Sequence, residues 1–117
     1  MMDQNQGTVS GLTVQELKKM REEKCEGEDF FLLDVRTPAE KQFADIGGDL
    51  IPLQEIESRY QELEGKEEKT LIIYCHHGVR SLHACLFLEE KGFKKLYNLE
   101  GGIDAWSHII DPKVPLY

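Results

Sequence analysis

The sequence predicts an α/β fold in which a parallel sheet is covered by helices on both faces. Three observations predict it. Short apolar runs recur along the chain: "FFLLDV" (30–35), "DLIPL" (49–53), "TLIIYC" (70–75) and "KKLYNL" (94–99). Segments with helical apolar spacing lie between them, and glycines or threonine caps mark the change-overs. Strands that alternate with helices from end to end are the pattern of a parallel sheet with crossover helices.

Taken in order, residues 1–7 are polar and are expected to be disordered. Thr13 precedes "VQELKKMREEK" with Glu16 three positions on, a capping box that opens a helix. Val14, Leu17 and Met20 form its apolar stripe. "EGED" is a loop, and "FFLLDV" is continuous enough for a strand buried on both faces. Thr37 then caps a helix with Pro38 at its first position, where a missing N–H costs nothing. Gly47-Gly48 interrupts the chain before the short strand "DLIPL". "QEIESRYQELEG" reads as one amphipathic helix, with Ile56, Tyr60 and Leu63 on one side and Gly65 at its end.

"TLIIYC" is the clearest strand, β-branched and aromatic. The helix after it places Ser81, Ala84, Cys85 and Leu88 at i, i+3, i+4 and i+7, a stripe that faces a core. Gly92 closes that helix, "KKLYNL" is the last strand, and "GGIDAWSHII" is a short helix before the tail "DPKVPLY".

The 117 residues suffice for one domain with a modest core. No apolar run approaches the ~20 residues of a membrane span, and no secretory signal opens the chain. A cytoplasmic protein is expected. Net charge is −8, from 22 acidic and 14 basic residues, which argues against nucleic acid or an anionic membrane as partner. Residues 75–83 differ locally: they hold Arg80 and three of the four histidines, and no carboxylate. An acidic protein with one cationic pocket suits a small anion.

Cys25, Cys75 and Cys85 are an odd count without paired spacing, so free thiols are expected. Cys75, His76 and His77 are contiguous, unlike the spaced ligands of a zinc ribbon or finger, and no metal site is expected. Cys75 ends a strand, and ligands of open parallel sheets bind beyond the carboxyl ends of the strands. If the chain from His76 to Ser81 curls around the sulfur, successive N–H groups form an anion nest. The helix N-terminus, Arg80 and a protonated His76 or His77 then add to it. Gly78 supplies the φ freedom of a tight loop. Cys85 lies on the apolar stripe and reads as core, and Cys25 has no partner. His76 and His77, adjacent in a loop, are expected to point in different directions, one of them lining the pocket. His83 reads as solvated, and His108 as favourably placed at a helix end.

Four segments in order resemble the rhodanese domain family: "LLDVRTPAE" (32–40), "GGDLIPL" (47–53), "IIYCHHGVRS" (72–81) and "LYNLEGGIDAW" (96–106). The resemblance spans one domain, 1–117, with a core of about 26–115. It implies a five-stranded parallel sheet and sulfur transfer. Cys75 would take sulfane sulfur from a donor such as thiosulfate as a persulfide and pass it to cyanide, a thiol or a sulfur-carrier protein, with no cofactor. His76, His77, Gly78, Val79, Arg80 and Ser81 would bind the anion. Asp34 and Arg36 match the family's Asp-x-Arg signature, with Asp34 either paired to a loop cation or acting as a strand-end turn residue. Trp106 reads as core. One departure is visible: many members carry His-Ile-Pro-Gly-Ala where this chain has Asp45-Ile46-Gly47-Gly48-Asp49.

Two rivals have different chemistry. Cys-x5-Arg phosphatases and arsenate reductases count seven residues from cysteine to arginine, whereas Cys75 to Arg80 counts six. A non-catalytic binding module is the other, and such members usually lack the cysteine that this chain keeps.

Overall fold

The structure, a computed structural model, describes residues 8–117. The expectation of disorder over residues 1–7 lies outside them. A five-stranded sheet runs in the order β1-β5-β4-β2-β3, with every neighbouring pair parallel. The strands are β1 (Val9–Leu12), β2 (Phe30–Asp34), β3 (Asp49–Leu50), β4 (Thr70–Tyr74) and β5 (Lys95–Leu99). Between them lie α1 (Val14–Glu23), α2 (Pro38–Phe43), α3 (Ile56–Arg59) and α4 (Val79–Glu90), and α5 (Gly102–Ala105) follows β5. No helix among the described residues is long and apolar enough to cross a membrane.

Apolar side chains explain the layers. Leu33, Ile73, Ala84, Cys85, Leu88 and Leu96 belong to the core on the α3–α4 face. Leu17, Leu32, Ile72, Leu99, Ile103 and Trp106 build the core on the opposite face, against α1 and α5. Leu71, Ile72, Ile73 and Tyr74 are all fully buried, so β4 is the central strand that its composition predicts. The α4 stripe is the expected one: Ser81, Ala84, Cys85 and Leu88 are its buried residues. The expected capping box of Thr13 with Glu16 is present, and the expected Thr37 cap is completed into a second box by Glu40.

Three local readings change. β1 is absent from the sequence reading because "VSGL" contains a glycine and buries only Leu12, as an edge strand paired to β5 can. β3 is two residues long: beyond Pro52 the next donor, Leu53 N–H, goes to the Val35 carbonyl at 3.0 Å and leaves the ladder register. The amide of Ile51 still reaches the Asp34 carbonyl at 2.9 Å. The single helix expected over 54–65 is instead a 3₁₀ turn (Leu53–Glu55), α3 and a second 3₁₀ turn (Tyr60–Leu63). Within it, the Ser58 hydroxyl donates to the Glu55 carbonyl at 3.1 Å and competes with regular helix bonding. After α5, the helix widens into a π turn, Trp106–Ile110, closed by Asp111 N–H to the Trp106 carbonyl at 2.9 Å.

The order of connection matters for the site. From β2 the chain moves outward to β3, then returns across β2 to begin β4, and continues to the other side as β5. Strand order therefore switches between β2 and β4. Their ends are level, Asp34 opposite Tyr74, so Cys75 and the Asp34–Arg36 segment emerge together at the switch point.

Candidate active site at the carboxyl end of the central strand

Cys75 follows β4 directly and is 1% exposed. The chain then turns through Gly78, whose φ of 111° would strain any residue with a Cβ. That turn brings two backbone donors to the sulfur: Gly78 N–H at 3.1 Å and Ser81 N–H at 3.4 Å. The Ser81 hydroxyl lies 3.3 Å from Sγ and donates to Asn98 Oδ1, which leaves it to accept from the thiol. The amides of His76, His77, Val79 and Arg80 have no backbone acceptor among the described residues. Gly78 caps α4 without a side chain, so the helix end is open to an anion.

Asn98 is missing from the sequence reading. Its Nδ2 donates to the Gly78 carbonyl at 3.0 Å while its Oδ1 takes the Ser81 proton, so β5 clamps the loop at two points. A signal existed: Asn98 shares strand parity with Leu96, which is core, and a polar group on a core-facing parity needs a partner.

The sequence assigns Arg80 directly to the anion pocket. In the structure its guanidinium is held by Glu40 of α2, Nη1 to Oε1 at 2.7 Å and Nη2 to Oε2 at 2.9 Å. Glu40 Oε1 also accepts from Thr37 N–H, so the capping box aims the carboxylate. Tyr117 extends the chain of contacts, donating to Glu40 Oε2 at 2.9 Å and accepting from Arg36 Nη1 at 2.9 Å. The hydrogen bonds from Arg80 hold the Glu40 carboxyl well below the usual carboxylate range, against the effect of burial. A folded pKa below the unfolded value of ~4.3 stabilises the fold above that pH, and the contribution is lost as pH falls below it. Glu40→Gln is therefore expected to cost roughly 1 kcal/mol near neutrality, the pair being partly exposed. The gap from the native protein should begin to narrow below about pH 4 and close only as pH falls through the low folded pKa. Urea unfolding at both pH values checks this, and a gap that widens in acid would contradict it.

Of the two readings left open for Asp34, the structure favours the strand-end turn, in which its Oδ1 accepts from Arg36 N–H at 2.9 Å, over pairing with a cation of the Cys75 loop. Its partner is Arg36, two residues on, and both side chains are fully buried. Arg36 Nε donates to Asp34 Oδ1 at 2.9 Å and Nη2 to Oδ2 at 2.8 Å, while Nη2 also reaches the Ala44 carbonyl at 2.7 Å. The Tyr74 hydroxyl lies 2.8 Å from the Gly47 carbonyl and 3.1 Å from Asp34 Oδ2. The pair braces the end of β2 rather than touching Cys75.

His76 and His77 do not diverge as expected. Their rings lie 4.0 Å apart, and His76 also stacks on Tyr117 at 4.0 Å with planes 10° apart. Burial, and then the charge of His77, hold the His76 pKa below its usual value. Val79 is 65% exposed, so only its amide can serve the loop. His83 is exposed, and Trp106 is core, as read. His108 finds a partner rather than only a helix dipole: its Nε2 is 3.6 Å from Asp104 Oδ1.

The glycine pair before α5 fits the helix against the loop. Ile103 N–H donates to the Cys75 carbonyl at 2.9 Å and Asp104 N–H to the His76 carbonyl at 3.1 Å. Gly102 has φ +60°, and a Cβ there would fall 2.4 Å from both carbonyl oxygens. Gly102→Ala is expected to cost roughly 1–3 kcal/mol by overpacking and to push the loop outward. Faster alkylation of Cys75, located by peptide mapping, would report the shift; an unchanged rate would refute it.

A family model described as "Rhodanese-like domain" matches residues 13–109. A protein named sulfurtransferase from Allochromatium vinosum is 40% identical over 81 residues, 68% of this chain and 74% of that protein. Rhodanese-like/PpiC domain-containing protein 12, chloroplastic, from Arabidopsis thaliana is 32% identical over 112 residues, 93% of this chain. The chain spans only 38% of the length of that relative. A rhodanese-like domain protein of known structure from Staphylococcus aureus superposes with a TM-score of 0.75 at 28% identity, covering 92% of this chain and 98% of the other. With the family model matching residues 13–109, the chain belongs to the rhodanese-like domain family.

Proposed function

We propose that this protein is a sulfurtransferase that carries the transferred sulfur as a persulfide on Cys75. One observation supports the reading above the others. The amides of Gly78 and Ser81 converge on Sγ, while those of His76, His77, Val79 and Arg80 remain without backbone acceptors among the described residues. Two amides aimed at Sγ, with four more on the same short segment left without backbone acceptors, suit an anion that begins at Sγ and extends one atom outward.

With a thiosulfate-like donor, the Cys75 thiolate attacks the sulfane sulfur. A new S–S bond forms, the donor's S–S bond breaks, and sulfite leaves with the electron pair. The persulfide is anionic, and preorganised N–H groups stabilise it without reorganisation. A nucleophilic acceptor, either cyanide or a thiol including that of a sulfur-carrier protein, then attacks the outer sulfur and releases the thiolate. No cofactor is required. Three free thiols agree with a reducing compartment such as the cytoplasm.

The phosphatase reading is less well supported. The loop counts six residues from Cys75 to Arg80, and the arginine that would grip a phosphoryl group is engaged by Glu40. Incubation with thiosulfate followed by intact-mass and peptide analysis tests the proposal. Addition of one sulfur atom at Cys75 is the expected result. Label confined to Cys25 or Cys85, or hydrolysis of an aryl phosphate in place of sulfur uptake, would overturn it.

A further inference from the structure

Where α5 meets the Cys75 loop, three imidazoles surround one carboxylate. Asp104 of α5 has His76 Nε2 at 4.0 Å and His108 Nε2 at 3.6 Å from Oδ1, and His77 Nε2 at 3.7 Å from Oδ2. The ligand atoms of His76, His77 and Asp104 all lie within 4.8 Å of one another. None of the three nitrogens is within hydrogen-bonding distance of the carboxylate. His76 Nε2 is also buried without any hydrogen-bond partner. A buried ring nitrogen left unsatisfied is costly unless something fills the gap.

We propose that His76, His77, Asp104 and His108 form a binding site for a late first-row divalent cation, with zinc as the best match. Two ligands on a tetrahedral zinc ion, with bonds of about 2.0–2.1 Å, stand roughly 3.3 Å apart. The three gaps to Asp104, 3.6–4.0 Å, exceed that spacing by less than ~1 Å. His108 lies outside the group of mutually close ligand atoms and must also swing toward His76 and His77 to join it. Imidazole-rich sets with one carboxylate favour zinc, copper or nickel, whereas calcium and magnesium take oxygen ligands. Two features orient the donors in advance. Tyr117 stacks on the His76 ring, and Asp104 N–H is bonded to the His76 carbonyl. His77 and His108 are 61% and 58% exposed, which leaves the site open to ions from solution.

The site's side chains make no hydrogen bond to Sγ, whose partners among the described residues are Gly78 and Ser81. It is invisible in the local spacing, because Asp104 and His108 come from a different element. A bound ion would fasten α5 to the loop that carries Cys75.

Titration of the native protein with Co²⁺ and Zn²⁺ tests the inference. Co²⁺ is expected to bind one equivalent, giving visible d–d absorption without a sulfur-to-cobalt charge-transfer band, and Zn²⁺ is expected to displace it while Mg²⁺ does not. Asp104→Asn and His108→Ala should each weaken binding by at least the roughly 10–100-fold that loss of a supporting group costs. Metal-free melting curves of both variants check that the fold is kept. In proton NMR, Zn²⁺ should shift the ring signals of His76, His77 and His108 and leave exposed His83 in place. A sulfur charge-transfer band, displacement by Mg²⁺, affinity unchanged in both variants, or no binding of Co²⁺ or Zn²⁺ would overturn the assignment.

Discussion

Replacing Cys75 with serine is expected to abolish sulfur uptake from thiosulfate and all downstream transfer, with activity falling to the uncatalysed background. The reason is chemical rather than structural. Serine keeps the size of the side chain and can accept from the Gly78 and Ser81 amides that now face Sγ at 3.1 and 3.4 Å. It cannot form the S–S bond in which the sulfur is held. Stability should change little, because Cys75 contributes one small buried side chain to the α4-side core. Cys85 cannot substitute, since burial pushes its thiol pKa up to about 12 and keeps it protonated. Cys25 is exposed, and the nearby charge of Glu28 raises its pKa as well. Intact mass after thiosulfate treatment measures the uptake, and a steady-state thiocyanate assay measures the turnover. Retained turnover in Cys75→Ser would remove Cys75 from the mechanism.

The largest expected effect on stability comes from Asp34→Ala. Asp34 and Arg36 are both fully buried, and Arg36 directs Nε and Nη2 to the two carboxylate oxygens. Removing the carboxylate leaves a guanidinium in the interior whose remaining hydrogen-bond acceptors among the described residues are the Ala44 and Glu40 carbonyls and the Tyr117 hydroxyl. Breaking a buried pair in this way costs roughly 3–5 kcal/mol. Much of that is the penalty of the stranded charge, so Asp34→Ala combined with Arg36→Met is expected to be more stable than Asp34→Ala alone. Urea unfolding of the single and double variants measures both. If the double variant is no more stable than the single one, the stranded charge is not the cause.

Some features of this protein are legible from the chain itself because they are local. The Thr13 box, the Thr37 cap, the α4 stripe and the φ demand at Gly78 each depend on residues a few positions apart. The alternation of strand and helix implies a parallel sheet, and a cysteine at a strand's carboxyl end marks the site. Tertiary structure decided what crosses between elements. Glu40 meets Arg80 forty positions away, Tyr117 reaches Arg36 across eighty-one, and Asn98 clamps Ser81 from the next strand. β1 is a strand only because β5 lies beside it, for "VSGL" carries little strand signal of its own. Asp104 joins His76 and His77 because Gly101-Gly102 lets α5 approach the loop backbone. Periodicity tells which face of an element is buried. It does not tell which element lies opposite, and charge pairing, the second clamp on the loop and the imidazole cluster all depend on that.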